Sequence, residues 1–257
     1  MKRLLFFLIV PILLSTCISS KGLAIKTPNQ ETFETSVEDQ LDHSAWDALL
    51  KEHVDFDGMV DYKGFKVDID KVNNYVNFLG KNIPDKNWSY EELLAYYINV
   101  YNANTIKLVL DNYPVKSIKD IDATISPFLK KFIKIGEKDF SLADIEKGIL
   151  QKMKEPRIHF AINCASFSCP KLMRDAYTAE NVNELMEQAA EEFINSEKNE
   201  LSPNSVKLSE IFKWYKDDFL LKSPSIIEYI NQYSEIEISA DASVDYIQYN
   251  WDLNDIE

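Results

Sequence analysis

One long segment constrains this chain more than any other. "SYEELLAYYINVYNANTIKLVLDNYP" opens at Ser89, with Glu92 at the spacing of a capping box, and runs to Pro114, which marks the exit. Between these ends Leu93, Leu94, Tyr97, Ile98, Tyr101, Ile106, Leu108 and Val109 leave no broad polar face. A helix that is apolar almost all round belongs inside a domain, so the rest of the chain must wrap it. The same helix carries Asn99, Asn102 and Asn104. Asn99 and Asn102 lie three residues apart and share a face. Asparagine is a poor mid-helix residue, and a buried amide left unpaired costs about 1–3 kcal/mol. These side chains must therefore be hydrogen-bonded to neighbouring loops or face a cleft.

Around this helix the sequence predicts shorter elements. "HSAWDALLKEHV" is an amphipathic helix with Ser44 at the cap position, and Met59 to Tyr62 suggests a short strand after the Asp57-Gly58 turn. "KFIKIGEKDFSL" reads as a hairpin turning at Gly136, followed by a helix capped by Ser141 and Asp144. "RIHFAIN", from Arg157, has the β-branched and aromatic content of a core strand. "TAENVNELMEQAAEEFINS", "SEIFKWYKDDF" and "SPSIIEYINQY" read as helices, and "SVKL", "EIEISA" and "VDYIQY" as strands. Helices and strands do not alternate regularly. The expectation is an α+β single domain with a buried central helix, several surrounding helices and a small, mainly antiparallel sheet.

The amino terminus bears on location. Met1-Lys2-Arg3 is a short basic start, and Leu4 to Leu14 is an apolar run interrupted only by Pro11. Such a run is too short to span a bilayer and suits the core of a secretory signal. "LLSTC" ends on Cys17 and resembles a bacterial lipobox, whose cysteine is lipidated and becomes the new N-terminus. The expected division is a signal over 1–16, a lipidated Cys17, a polar tether over 17–40 and a globular domain over 41–257. Ordinary cleavage near Ser19 or Ser20 is the alternative. Either way the expected location is the cell envelope or periplasm, with the membrane as partner through the anchor. Formal charge is −14, and removing Lys2 and Arg3 with the leader makes it −16. So acidic a surface, with no basic stripe, argues against nucleic acid. No cofactor motif is evident.

Reactive side chains concentrate in "RIHFAINCASFSCPKL", which holds His159, Cys164 and Cys169. Three chemistries compete there. A zinc site would need more ligands than this H-x4-C-x4-C spacing offers, so no metal is expected. A Cys164–Cys169 disulfide suits an exported chain, and would close a short loop ending at Pro170. Nucleophilic catalysis by Cys164 would need a base and an oxyanion site. Along an extended strand at about 3.3 Å per residue, His159 and Cys164 would lie about 16 Å apart on opposite faces. A dyad therefore requires the chain to fold back after Asn163. The small residues of "CASFSCP", Ser166 among them, could turn that corner and offer their amides as an anion nest.

Several ordered stretches carry a resemblance: "YYINVYNANTIKLVL", "YPVKSIKDI", "FSLADIEKGIL", "PRIHFAINCASFSCPKL", "AYTAENV", "SEIFKWYKDDF" and "YNWDLN". Together they closely resemble the domain of unknown function 547 family over roughly residues 45–254. Departures are Tyr97 where the family often has tryptophan, Lys147 where it often has histidine, and Asn250 where it often has aspartate. The family's recurrent polar positions fall here on Asn102, Glu146, His159 and Cys164, which makes these the candidate catalytic residues. The resemblance implies no particular activity. In plant members serine often replaces the second cysteine, so the family need not use Cys169. A buried helix followed by strands is also reminiscent of papain- and transglutaminase-like folds. In those enzymes the nucleophilic cysteine starts the central helix, and here that helix has none. Two function classes survive. One is a thiol-dependent hydrolase or acyl-transfer enzyme built on Cys164 and His159. The other is a non-catalytic envelope module binding a small molecule or peptide, with Asn99 and Ser166 as candidate binding residues.

Overall fold

A computed structural model describes residues 18–28 and 41–256; the expected signal, Cys17 and residues 29–40 of the expected tether lie outside the described residues. The centre is the helix α4 (Tyr90–Asn112), buried along almost its whole length. Ser89 caps it by accepting from the Glu92 amide at 3.0 Å. Tyrosines on α4 bury their rings and tie their hydroxyls to backbone outside it, Tyr96 to Leu79 O at 2.8 Å and Tyr97 to Ala24 O at 2.7 Å. Each ring thus contributes apolar area without an orphaned hydroxyl.

Helices α1 (Ser44–His53), α2 (Tyr62–Val67) and α3 (Ile69–Lys81) cover one side. The hairpin β1 (Ile133–Ile135) and β2 (Lys138–Phe140) turns at Gly136, whose φ of 57° suits glycine, and leads into α5 (Leu142–Gly148). A complete capping box of Ser141 and Asp144 starts α5. α6 (Ile158–Ala161) is one turn, and α7 (Val182–Ile194) packs its apolar stripe against both α6 and α4. Three strands follow, β3 (Glu200–Leu201), β4 (Ser205–Ser209) and β5 (Ser243–Ile247), with α8 (Ile211–Trp214), α9 (Lys216–Phe219) and α10 (Ile226–Ile230) between β4 and β5. β3 pairs antiparallel with β4, which pairs parallel with β5. The architecture is α+β in a single domain, as expected, with a two-stranded antiparallel sheet and a three-stranded mixed sheet.

Several local expectations are corrected. "RIHFAIN" is a helical turn followed by extended chain, because Pro156 and Arg157 set up the turn and Phe160 packs against Phe193, Phe212 and Phe219. Tertiary packing overrides strand propensity here. Met59 to Tyr62 makes only isolated bridges, both at Val60, to Val54 and to Asp255, before α2 begins at Tyr62. "EIEISA" is irregular, and "SEIFKWYKDDF" is two single turns rather than one helix. His43, not Ser44, occupies the cap position of α1.

Asn99 and Asn102 are engaged through both amide atoms, whereas Asn104 donates to Val100 O at 2.8 Å within α4 and leaves its buried Oδ1 without a partner. Asn99 donates to Tyr177 O at 2.7 Å and accepts from Tyr177 N at 3.2 Å. Asn102 donates to Ala161 O at 3.0 Å and accepts from Asn163 N at 2.8 Å. Both therefore bond to neighbouring loops. Replacing Asn102 with leucine improves helix propensity by only a few tenths of a kcal/mol but orphans two buried backbone groups. Asn102→Leu is expected to lower the thermal midpoint by roughly 5–15 °C. A rise in the calorimetric midpoint would contradict that accounting.

Candidate functional site

Asn102 fixes the point from which the reactive stretch departs. Past Asn163 the chain turns sharply, and Ala165 adopts a left-handed φ of 60°. That conformation costs a non-glycine residue on the order of 1 kcal/mol and persists only where neighbours over-determine it. Here Asn163 does so, accepting from Ala165 N at 2.8 Å and donating to Pro170 O at 2.8 Å. Cys164 and Cys169 are joined as a disulfide, with their Cα atoms 6.2 Å apart. The C-terminal segment then straps the loop: Phe167 N donates to Asp252 O at 2.7 Å and Ser168 N to Asn250 O at 3.2 Å. An expected anion nest is not formed. The amides of Cys164, Ala165, Phe167, Ser168 and Cys169 are all donated within the protein.

This turn and the single helical turn of α6 bring His159 and Cys164 to the wall of one cavity, which the extended-strand estimate had set apart. The cavity has a volume of about 460 Å³ and is also lined by Glu146 and Lys147 of α5, by Tyr101 of α4 and by Cys169. Trp214 and Tyr215, from α8 and the residue after it, close a second side, and Tyr249 and Trp251 a third. Asn99 and Asn102 do not line it. Ser166 lies just behind: its hydroxyl is 3.0 Å from the Cys164 sulfur and donates to the Tyr249 hydroxyl at 3.0 Å.

His159 is the best-defined polar group. It is 3% exposed, stacks on Tyr215 with ring centroids 3.9 Å apart, and meets Phe219 edge-on. Its Nε2 is 2.7 Å from Asp218 Oδ2, which also accepts from Gln151 Nε2 at 3.0 Å. A carboxylate accepts only, so it selects the tautomer that carries the proton on Nε2. Nδ1 is then a bare acceptor, buried and without a hydrogen-bond partner among the described residues. Across the stacked ring, the Tyr215 hydroxyl donates to Glu146 Oε1 at 2.6 Å. Burial, reinforced by Glu146, pushes the Tyr215 phenol well above its ordinary range; burial does the same to Tyr101 and Tyr249. All three phenols stay neutral, and the single Tyr215 proton is already committed to Glu146.

Asp218, Tyr215, Tyr249 and the two tryptophans were not singled out from the sequence as site residues, although "SEIFKWYKDDF" and "YNWDLN" were visible as motifs. For a metal, the one grouping of suitable side chains among the described residues is Glu52, His53 and Asp68. It lies outside this cavity, and Asp68 already pairs with Lys71 at 2.9 Å.

Comparison with known proteins adds one family match over part of the chain. Residues 86–194 match the model of the family described as "Protein of unknown function, DUF547". That match bears out the resemblance across the span from α4 to α7, which includes Asn102, Glu146, His159 and both loop cysteines. No curated protein matches the chain, and no solved structure does. Asp218, Tyr215, Tyr249 and Trp251 lie beyond the matched residues.

The disulfide has a direct readout. Without reductant, neither Cys164 nor Cys169 is expected to be alkylated by iodoacetamide, and both are expected to be after reduction, as peptide mass spectrometry would show. Alkylation of either cysteine in the unreduced protein would contradict the bridge.

Proposed function

We propose that this protein is an exported, lipid-anchored module of the cell envelope. Its cavity binds a small amphiphilic molecule, with a hydrogen-bond donor of the ligand at His159 and the apolar body against the aromatic wall. The observation that carries the reading is a cavity with apolar and aromatic walls that His159 also lines, its Nδ1 buried and without a hydrogen-bond partner among the described residues. Pockets of ~300–1,000 Å³ with apolar walls and a few convergent polar groups are the usual form of small-molecule sites. The bridged cysteines favour binding over thiol chemistry, since a disulfide sulfur has no thiolate to offer. Export rests on the basic start, the short apolar run and Cys17, and a structural disulfide is consistent with an oxidising compartment.

A second reading, thiol-dependent hydrolysis or acyl transfer, is favoured by one specific fact: Cys164 and an Asp-oriented histidine line the same cavity. It requires reduced Cys164. The thiol proton would pass to His159, the thiolate would attack an acyl carbon, and the leaving group would take the proton back. Water, or another acceptor, would then release the acyl group. In reduced protein this reading demands that Cys164 alkylate near neutral pH faster than free cysteine, and that His159→Ala remove the excess. Equal rates end it.

The binding reading is tested by calorimetric titration with dodecanol and with dodecyl methyl ether, which has a similar chain without the donor. A donor meeting a buried acceptor contributes about 1–3 kcal/mol, so the alcohol is expected to bind roughly 5- to 150-fold more tightly. His159→Phe keeps the stack on Tyr215 and is expected to erase the difference. Equal affinities for wild type would refute the assigned polar contact. The anchor is tested separately: mass spectrometry of the mature protein is expected to find a lipid on Cys17, and an unmodified N-terminus beyond Cys17 would reject anchoring while leaving export intact.

A further inference from the structure

The first described residue is part of the site. Ile18 lines the mouth of the cavity and is 38% exposed. The residues after it are held tightly to the domain. Ser19 N donates to Asp144 Oδ1 at 3.2 Å, Lys21 pairs with Asp144 at 3.3 Å, Leu23 is buried, and Ala24 O accepts from Tyr97. Little slack therefore separates Ile18 from the core. Cys17 directly precedes Ile18 in the sequence. A lipid on Cys17 would enter the bilayer beside the mouth.

Two independent features of the mouth fit such a surface. Its rim is apolar and open to solvent: Leu129 and Trp214 are each 44% exposed, and Ile125, one residue from the lining Ser126, is 54% exposed. Tryptophan and aliphatic side chains in this setting suit the boundary between headgroups and acyl chains. Several lysines lie in or next to the lining, alongside the Glu146 carboxylate, in a chain of net charge −14. Lys147 lines the cavity and the Lys119 amine lies 4.5 Å above the Trp251 ring, while Lys130 and Lys213 adjoin Leu129 and Trp214 in the chain. Lys130 is partly offset by Asp122 at 3.6 Å. Lysines around an apolar patch match anionic headgroups.

From these observations we infer that the mouth of the cavity docks on the membrane holding the anchor, and that the ligand is a single-chain lipid drawn from that membrane. Its polar end, bearing a hydroxyl or amine, reaches His159, and its chain passes between Trp214 and Leu129 toward the bilayer. This rests on the lipid-anchored binding module proposed above and adds the source and orientation of its ligand.

The test uses the full lipidated chain reconstituted in vesicles of phosphatidylcholine and phosphatidylglycerol whose acyl chains are brominated. Bromine quenches tryptophan on contact, so fluorescence is expected to fall relative to unbrominated vesicles, and Trp214→Phe is expected to remove most of that fall. Ile125→Asp, outside the cavity lining, is expected to abolish the quenching yet leave the affinity for soluble dodecanol unchanged, which also shows that the variant is folded. Unquenched fluorescence with dodecanol affinity intact would overturn the docking and leave the binding module standing. Quenching without any dodecanol binding would overturn the binding module and with it the lipid ligand. A mature chain that carries no lipid on Cys17 removes the geometric premise and overturns the inference outright.

Discussion

A side-chain amide inside an apolar helix must find its partners within the protein, because no water is there to replace them. Asn102 meets that demand with two groups that lie close together in the chain, Ala161 O and Asn163 N, on either side of the point where the reactive stretch turns. One side chain of the central helix thereby sets both the end of α6 and the start of the cysteine loop. Asn163 continues the chain of constraints by holding Ala165 left-handed and fastening Pro170. His159 and Cys164 face one cavity because the backbone between them is fastened at its middle.

The cavity itself is a product of distant sequence. α5 contributes Glu146, α6 contributes His159, α9 supplies Asp218, and the C-terminal strap supplies Tyr249 and Trp251. The family match stops at residue 194, before the strap and before the aspartate that orients the histidine. A third of the lining residues thus come from segments outside the matched region. The aromatic stack of Tyr215 on His159 links the two parts, since the same tyrosine hydroxyl reaches Glu146.

Chemically the site is lopsided. Its phenols are held neutral by burial, its loop amides are donated internally, and its sulfurs are paired, so it offers hydrogen-bond donors, one bare imidazole nitrogen and a wide aromatic surface. Such a set recognises more readily than it transforms. A nucleophile would have to be released by reduction, and an oxyanion would find no free amide among those five in the loop.

Much of this was legible in the sequence. The uniform apolarity of 90–112 required a wrapped helix, and the cost of unpaired amides required that Asn99 and Asn102 be bonded. The Ser141 and Asp144 spacing specified a capping box, and the concentration of His159, Cys164 and Cys169 pointed to the stretch that lines the cavity. These inferences rest on local periodicity and on desolvation costs that hold in any fold. Tertiary structure decided the rest. "RIHFAIN" has strand-forming residues, yet Phe160 gains more by packing into the cluster of Phe193, Phe212 and Phe219 than its propensity costs. Asp218 reads locally as one acidic residue on an exposed turn, and only the fold brings it within 2.7 Å of a histidine 59 positions away. The sequence by itself determined that a buried, polar-studded helix would carry reactive residues beside it. Which distant side chains complete their environment depended on packing between elements, which no local pattern encodes.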